Sequence, residues 1–141
     1  MADWQIREYL HPQDYSVVSH LWQTCGGGVK YGRSDSEAEI QKKVLRDPDL
    51  FLVATIDDQI IASIIGGYDG RRGMAYHLAV AEQYRGLGVA RDLMQELEKR
   101  LVGKGCVKAY LMINPEHPDL LDYYAKLGWQ QMNVFICAKE F

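Results

Sequence analysis

The stretch AVAEQYRGLGVARDLM, residues 79–94, changes character in its middle. Ala79 and Val80 close an apolar run that starts at Met74, Arg85-Gly86-Leu87-Gly88-Val89-Ala90 follows, and Leu93, Met94, Leu97 and Leu101 then recur at helical spacing. An apolar run that gives way to that period reads as a strand feeding a helix. The spacing predicts a helix from about Leu87 to Val102, with Ala90, Leu93, Met94, Leu97 and Leu101 on its core face and Gly103 and Gly105 as its stop. Glu96 and Arg100 stand one turn apart in the favourable order, worth about 0.2–0.5 kcal/mol.

Upstream, Trp4, Ile6 and Tyr9 suggest a first strand, punctuated by His11-Pro12-Gln13-Asp14. Val18, Leu21, Trp22 and Cys25 then form a helical stripe that Gly26-Gly27-Gly28 ends. A triple glycine can cradle a ligand, but a connector and helix stop is the simpler reading. Ser34-Asp35-Ser36-Glu37 offers N-caps for a second helix through Ile40, Val44 and Leu45. Leu50–Ile56 and Ile60–Ile65, separated by Asp57-Asp58-Gln59, read as a hairpin. The next turn, Tyr68 to Gly73, carries Arg71 and Arg72 at what reads as a solvated tip.

Downstream, Val107–Ile113 reads as a buried strand, Asn114-Pro115 as an extended exit, and Pro118 as the start of a last helix ending at Gly128. Phe135, Ile136 and Cys137 are expected in a closing strand. The order β-α-α-β-β-β-α-β-α-β(-β) predicts an α/β domain with a mixed sheet flanked by helices, occupying residues 1–141 as one unit.

The totals exclude several classes. Of 141 residues, 48% are apolar and 25% charged, an ordinary globular composition. The net charge of −3 offers no basic field for nucleic-acid phosphates. The longest apolar runs fall short of the roughly 20 residues that span a bilayer, and the N-terminus lacks a secretion signal's apolar block. Cys25, Cys106 and Cys137 show no paired spacing and read as small buried apolar residues. We therefore expect a cytoplasmic protein without nucleic-acid or membrane partners. His11, His20, His77 and His117 lack metal-ligand spacing, so no metal is expected.

The bend itself has the makings of an anion site. A helix N-terminus presents unpartnered N–H groups and about half a positive charge. Phosphate oxygens can satisfy both if they approach closely, which Gly86 and Gly88 permit, while Arg85 adds a cationic fork. A tight turn that uses glycine only for its positive φ is the alternative. The P-loop pattern is absent, and Arg91 stands where the dinucleotide fingerprint needs its third glycine.

Arg85-x-x-Gly88-x-Ala90 resembles the [Q/R]-x-x-G-x-[G/A] signature of the GNAT superfamily of N-acetyltransferases. Tyr123-Tyr124-Ala125-Lys126-Leu127-Gly128-Trp129 is similar to the superfamily's FYEKLGF segment. The element order agrees over nearly the whole chain, and the sequence looks most like small bacterial members, including relatives of ribosomal-protein alanine acetyltransferases. The resemblance implies a GNAT-like fold and transfer of an acetyl group from acetyl-CoA to a primary amine of a small molecule or protein. It implies that Arg85, Gly86, Leu87, Gly88, Val89, Ala90 and Arg91 hold the pyrophosphate and that the main chain of Leu78 and Val80 pairs with the pantetheine arm. It further implies that Val80 N–H polarises the thioester carbonyl and that Tyr124 is the general acid.

Two departures stand out. Many relatives place a glutamate on the strand leading to the equivalent of Val80, where this chain has Tyr76-His77. His77 is the candidate base, since imidazole titrates near neutrality, and Asp69, Glu116 and Asp119 are further acidic candidates for ordering water or attracting a cationic acceptor. His117 occupies the position of a cofactor-touching asparagine, and either bonds the cofactor or caps the last helix. A non-catalytic acyl-CoA sensor is the alternative function. A terminal strand can close the sheet or pair with a second copy, so a homodimer is possible.

Overall fold

The computed structural model describes residues 3–26 and 29–141. Its elements run β1 (Gln5–Glu8), α1 (Tyr15–Thr24), α2 (Glu37–Arg46), β2 (Phe51–Ile56), β3 (Gln59–Tyr68), β4 (Gly73–Val80), α3 (Val89–Gly103), β5 (Ala109–Leu111) and α4 (Asp119–Lys126). Single 3-10 turns occupy Arg33–Asp35 and Glu82–Tyr84. The strands lie side by side in chain order, antiparallel from β1 to β4, with β5 parallel to β4. The expected α/β order is present through the last helix.

Local chemistry explains the joints. The β2–β3 turn holds Asp57 at φ 49° and Asp58 at φ 63°, the left-handed pair that matches the twist of a two-residue hairpin and that aspartate tolerates better than most residues. Helix α2 begins where the Ser36 hydroxyl accepts the N–H of Glu39. Helix α3 buries Val89, Leu93, Met94, Leu97 and Leu101 against one face of the sheet. Each such side chain stabilises by about 1.5–3 kcal/mol, so packing rather than helix propensity holds this element. The opposite face is covered by Val18, Leu21 and Trp22 of α1 and Ile40 of α2, packed on Phe51, Val53 and Ile65. The expected Glu96–Arg100 pair forms at 3.0 Å, and Arg100 also binds Glu8 at 2.7 Å, tying α3 to β1.

Four expectations are corrected. Phe135, Ile136 and Cys137 form no strand, and residues 130–141 lie outside the sheet with Phe135 fully exposed. Strand propensity measures fit to a neighbouring strand, and the three-residue β5 offers little ladder to join. For the same reason β5 is half-buried rather than buried, and Val107 and Met112 face solvent. Leu45 is exposed, because α2 lies on the sheet through a single buried residue, Ile40. Cys137 is exposed with the tail that carries it, whereas Cys25 and Cys106 are buried as expected.

Candidate functional site

Strands β4 and β5 pair only from Gly73–Ala109 to Ala75–Leu111, while β4 continues to Val80. Beyond Ala75 the two strands part. The N–H of Ala81 donates to Ile61 of β3 at 2.8 Å, so by the alternation of a strand the N–H of Val80 faces away from β3, towards the gap. The gap is a cleft of 770 Å³. Its walls are β4 from Ala75 to Val80, the segment from Tyr84 to Arg91, residues 111–114 and one side of α4.

The bend closes one end. Gly86 (φ 74°) and Gly88 (φ 103°) both take left-handed backbone, so the turn itself requires glycine. A β-carbon at Gly86 would meet no protein atom, which leaves the backbone open to a ligand. Gly88 is the N-cap of α3 and has no side chain to cap it. The first helical bond runs from Asp92 N–H to Gly88 C=O at 3.1 Å, leaving the N–H groups of Val89, Ala90 and Arg91 without helical partners. Arg85 reaches back across the cleft, its Nε 3.4 Å from the Val80 carbonyl and its guanidinium beside Gly26. Three orphan donors, a dipole and a guanidinium around bare glycine backbone suit a diphosphate. Leu87 is the exception among the expected binding residues: its side chain is exposed and lies outside the cleft.

Tyr124 enters from α4, edge-on to Tyr123 with ring centroids 5.2 Å apart. Burial, with a smaller contribution from Tyr123, pushes its phenol pKa up to about 12, so the hydroxyl keeps its proton at neutral pH. His117 lines the same wall from the turn in which its N–H bonds Asn114 C=O at 2.9 Å. At the start of α4 its main-chain carbonyl accepts the Leu120 N–H at 3.1 Å.

His77 stands at a β-bulge. Between the paired positions Ser63–Ala79 and Ile65–Tyr76, β4 carries one residue more than β3, and His77 takes φ 54° there. The bulge flips the strand's facing: Ala75 packs with α3 before it, Leu78 and Val80 after it. His77 lines the cleft, with the Trp22 ring edge-on at 5.0 Å and its Nε2 2.7 Å from Asp35 Oδ1. Of the acidic candidates, only Asp119 lines the cleft. Asp69 sits in the exposed β3–β4 turn, where its Oδ1 accepts the N–H groups of Arg71 and Arg72; these bonds hold its carboxyl below the usual range. Glu116 is exposed and off the cleft.

A sequence profile of the Acetyltransferase (GNAT) family matches residues 6–129. The chain belongs to that family. An acetyltransferase of Sodalis glossinidius is 40% identical over 137 residues, covering 96% of this chain and 94% of its own. The crystal structure of Ard1 from Thermoplasma volcanium superimposes with a TM-score of 0.76 over 89% of this chain and 81% of that one, at 23% identity. The aminoglycoside N-acetyltransferase AAC(6′)-Iy, in complex with the bisubstrate analogue CoA-S-monomethyl-acetylneamine, does so with a TM-score of 0.75 over 99% of each chain, at 16% identity.

Within this GNAT fold, the expected site residues other than Leu87, Asp69 and Glu116 converge on one cleft. Sequence reasoning missed Asp35, which it treated only as a helix cap, and Cys25 and Gly26, which form part of the cleft wall. Asp35 and His77 lie 42 positions apart, a separation that carries no spacing signal. Gly27 and Gly28, the rest of the triple glycine read as a connector and helix stop, lie outside the described residues. Among the described residues no three His, Cys, Asp or Glu side chains are grouped to hold a metal, and no helix is long and apolar enough to cross a membrane.

Proposed function

We propose that this GNAT protein is an acetyl-CoA-dependent N-acetyltransferase that passes the acetyl group directly to a primary amine. One observation carries the reading: the unpaired edge of β4 and the glycine bend open into the same cleft. Acetyl-CoA supplies an acetyl group activated as a thioester. The N–H groups of Val89, Ala90 and Arg91, with Arg85, bind its pyrophosphate, and the main chain of Leu78 and Val80 binds the pantetheine arm as an added strand would. Val80 N–H is aimed at the thioester oxygen, where a donor that follows developing charge contributes several kcal/mol.

An amine attacks only when neutral, yet alkylammonium groups resemble lysine, with a pKa of about 10.4. His77 takes that proton, and Tyr124 protonates the departing thiolate. The fold is shared with AAC(6′)-Iy, whose structure holds the bisubstrate analogue CoA-S-monomethyl-acetylneamine. We place the reaction in one domain spanning residues 1–141, in the cytoplasm, where thiols such as the exposed Cys137 stay reduced. A homodimer follows if the free edge of β5 or the exposed Val134–Ile136 run pairs with a second copy.

The test is a panel of primary amines incubated with acetyl-CoA and read by free thiol. Amine-dependent release supports the reading. Tight CoA binding with no release from small amines, polyamines or peptide N-termini would instead mark a sensor.

A further inference from the structure

We infer that Asp35 is the positioning residue for His77, fixing the imidazole with its proton on Nε2 so that Nδ1 is the nitrogen that receives the acceptor's proton. This rests on the acetyl-transfer reading above. The 3-10 turn Arg33–Asp35 places a carboxylate that is 5% exposed with Oδ1 2.7 Å from His77 Nε2. A carboxylate oxygen only accepts, so Nε2 must donate. Asp35 cannot swing away. Its Oδ2 accepts the N–H of Gly32 at 2.8 Å, and its main-chain carbonyl accepts the Tyr15 hydroxyl at 2.9 Å.

Two aromatic rings flank the imidazole. Trp22 of α1 stands edge-on to it and is itself fixed by a 3.1 Å bond from its Nε1 to the buried Ser63 hydroxyl. The Tyr76 ring lies 5.8 Å away on the same strand, and Cys25 and Arg85 share the cleft. With Nε2 committed, Nδ1 holds the only free lone pair on the ring. In the transfer step one ammonium proton passes to Nδ1, the amine nitrogen bonds the acetyl carbon, the carbon–sulfur bond breaks and the sulfur takes the Tyr124 proton, while the second proton that the nitrogen sheds as the amide forms returns through water to the Tyr124 oxygen. Imidazolium and the Asp35 carboxylate then form a paired ion, and water later removes the Nδ1 proton. This arrangement supplies the proton acceptor that the missing strand glutamate leaves wanting.

Two measurements test it. In long-range ¹H–¹⁵N spectra of the wild-type protein, neutral His77 should show the Nε2–H tautomer; the Nδ1–H tautomer would overturn the proposal without any variant. Asp35→Asn should then lower kcat by about 10²–10⁴-fold, the upper figure being the loss seen where a carboxylate fixes a histidine tautomer elsewhere, with CoA affinity and acceptor KM held within about threefold. An active wild type whose Asp35→Asn variant folds and keeps its kcat overturns this proposal alone. A wild type that binds CoA but acetylates no amine overturns the acetyl-transfer reading, and this proposal with it.

Discussion

The Arg85 side chain is folded onto the Val80 carbonyl, Nε to oxygen 3.4 Å, so the cation of the bend rests on the strand edge that the pantetheine arm would use. If the bend holds the pyrophosphate as proposed, CoA binding exchanges that contact for the phosphates. Charge-assisted hydrogen bonds contribute about 1.5–3 kcal/mol, so Arg85→Gln should weaken CoA about 10–100-fold by calorimetry. Pantetheine, which lacks the pyrophosphate, should bind the variant as well as it binds wild type. Equal losses for the two ligands would count against the assignment of Arg85 to phosphate.

Gly88→Glu acts at the same bend through two effects. It forces a side chain into φ 103° and sets a carboxylate beside the orphan amides of α3. CoA affinity should fall by more than about tenfold, while Gly88→Ala, strained but uncharged, should lose less. Circular dichroism separates misfolding from lost binding. An unchanged CoA isotherm for a folded Gly88→Glu protein would move the pyrophosphate elsewhere.

Tyr124→Phe should lower kcat by about 10²–10⁴-fold and leave CoA affinity nearly unchanged. Its pH behaviour has a definite sign. Because burial raises the phenol to about 12, the acid form persists through the alkaline range, and Tyr124 should contribute no falling limb between about pH 6 and pH 10. A limb near pH 10 that vanishes in Tyr124→Phe would show an ordinary, solvated tyrosine.

Asp14 ties β1 to α1. It binds Arg7 through both oxygens, at 2.7 and 3.1 Å, and accepts the N–H of Leu10 at 2.8 Å. Burial alone would raise its pKa, but the Arg7 and Leu10 hydrogen bonds outweigh it and hold the carboxyl below its usual range. A lowered folded-state pKa means stability that is complete above the ordinary aspartate range and lost as pH falls through the depressed value. Urea unfolding at neutral pH should therefore show Asp14→Ala destabilised by about 1–3 kcal/mol, with the gap to wild type narrowing in acid. A gap that stays constant down to about pH 2 would assign the loss to packing.

How much of this was legible in the residues follows from the range of each signal. The α3 stripe, the hairpin at Asp57-Asp58 and the strand–bend–helix around Gly86 and Gly88 are local periodicities or turn chemistry, and all three form. The absence of a closing strand was not recoverable. Val134, Phe135 and Ile136 have the composition of a strand, but whether they pair depends on the length of β5, which no pattern in residues 130–141 records. The His77–Asp35 contact was hidden for a related reason. It needs a bulge in β4 and a turn preceding α2 to meet across the sheet face, and neither has a side-chain period of its own.

The most direct test of the central claim is a titration of ¹⁵N-labelled protein with CoA, followed at the backbone amides. Saturable shifts should concentrate at Gly86, Gly88, Val89, Ala90 and Arg91, with Leu78 and Val80 moving in concert. If CoA binds while those amides stay still, or if it does not bind at all, the bend does not hold the pyrophosphate.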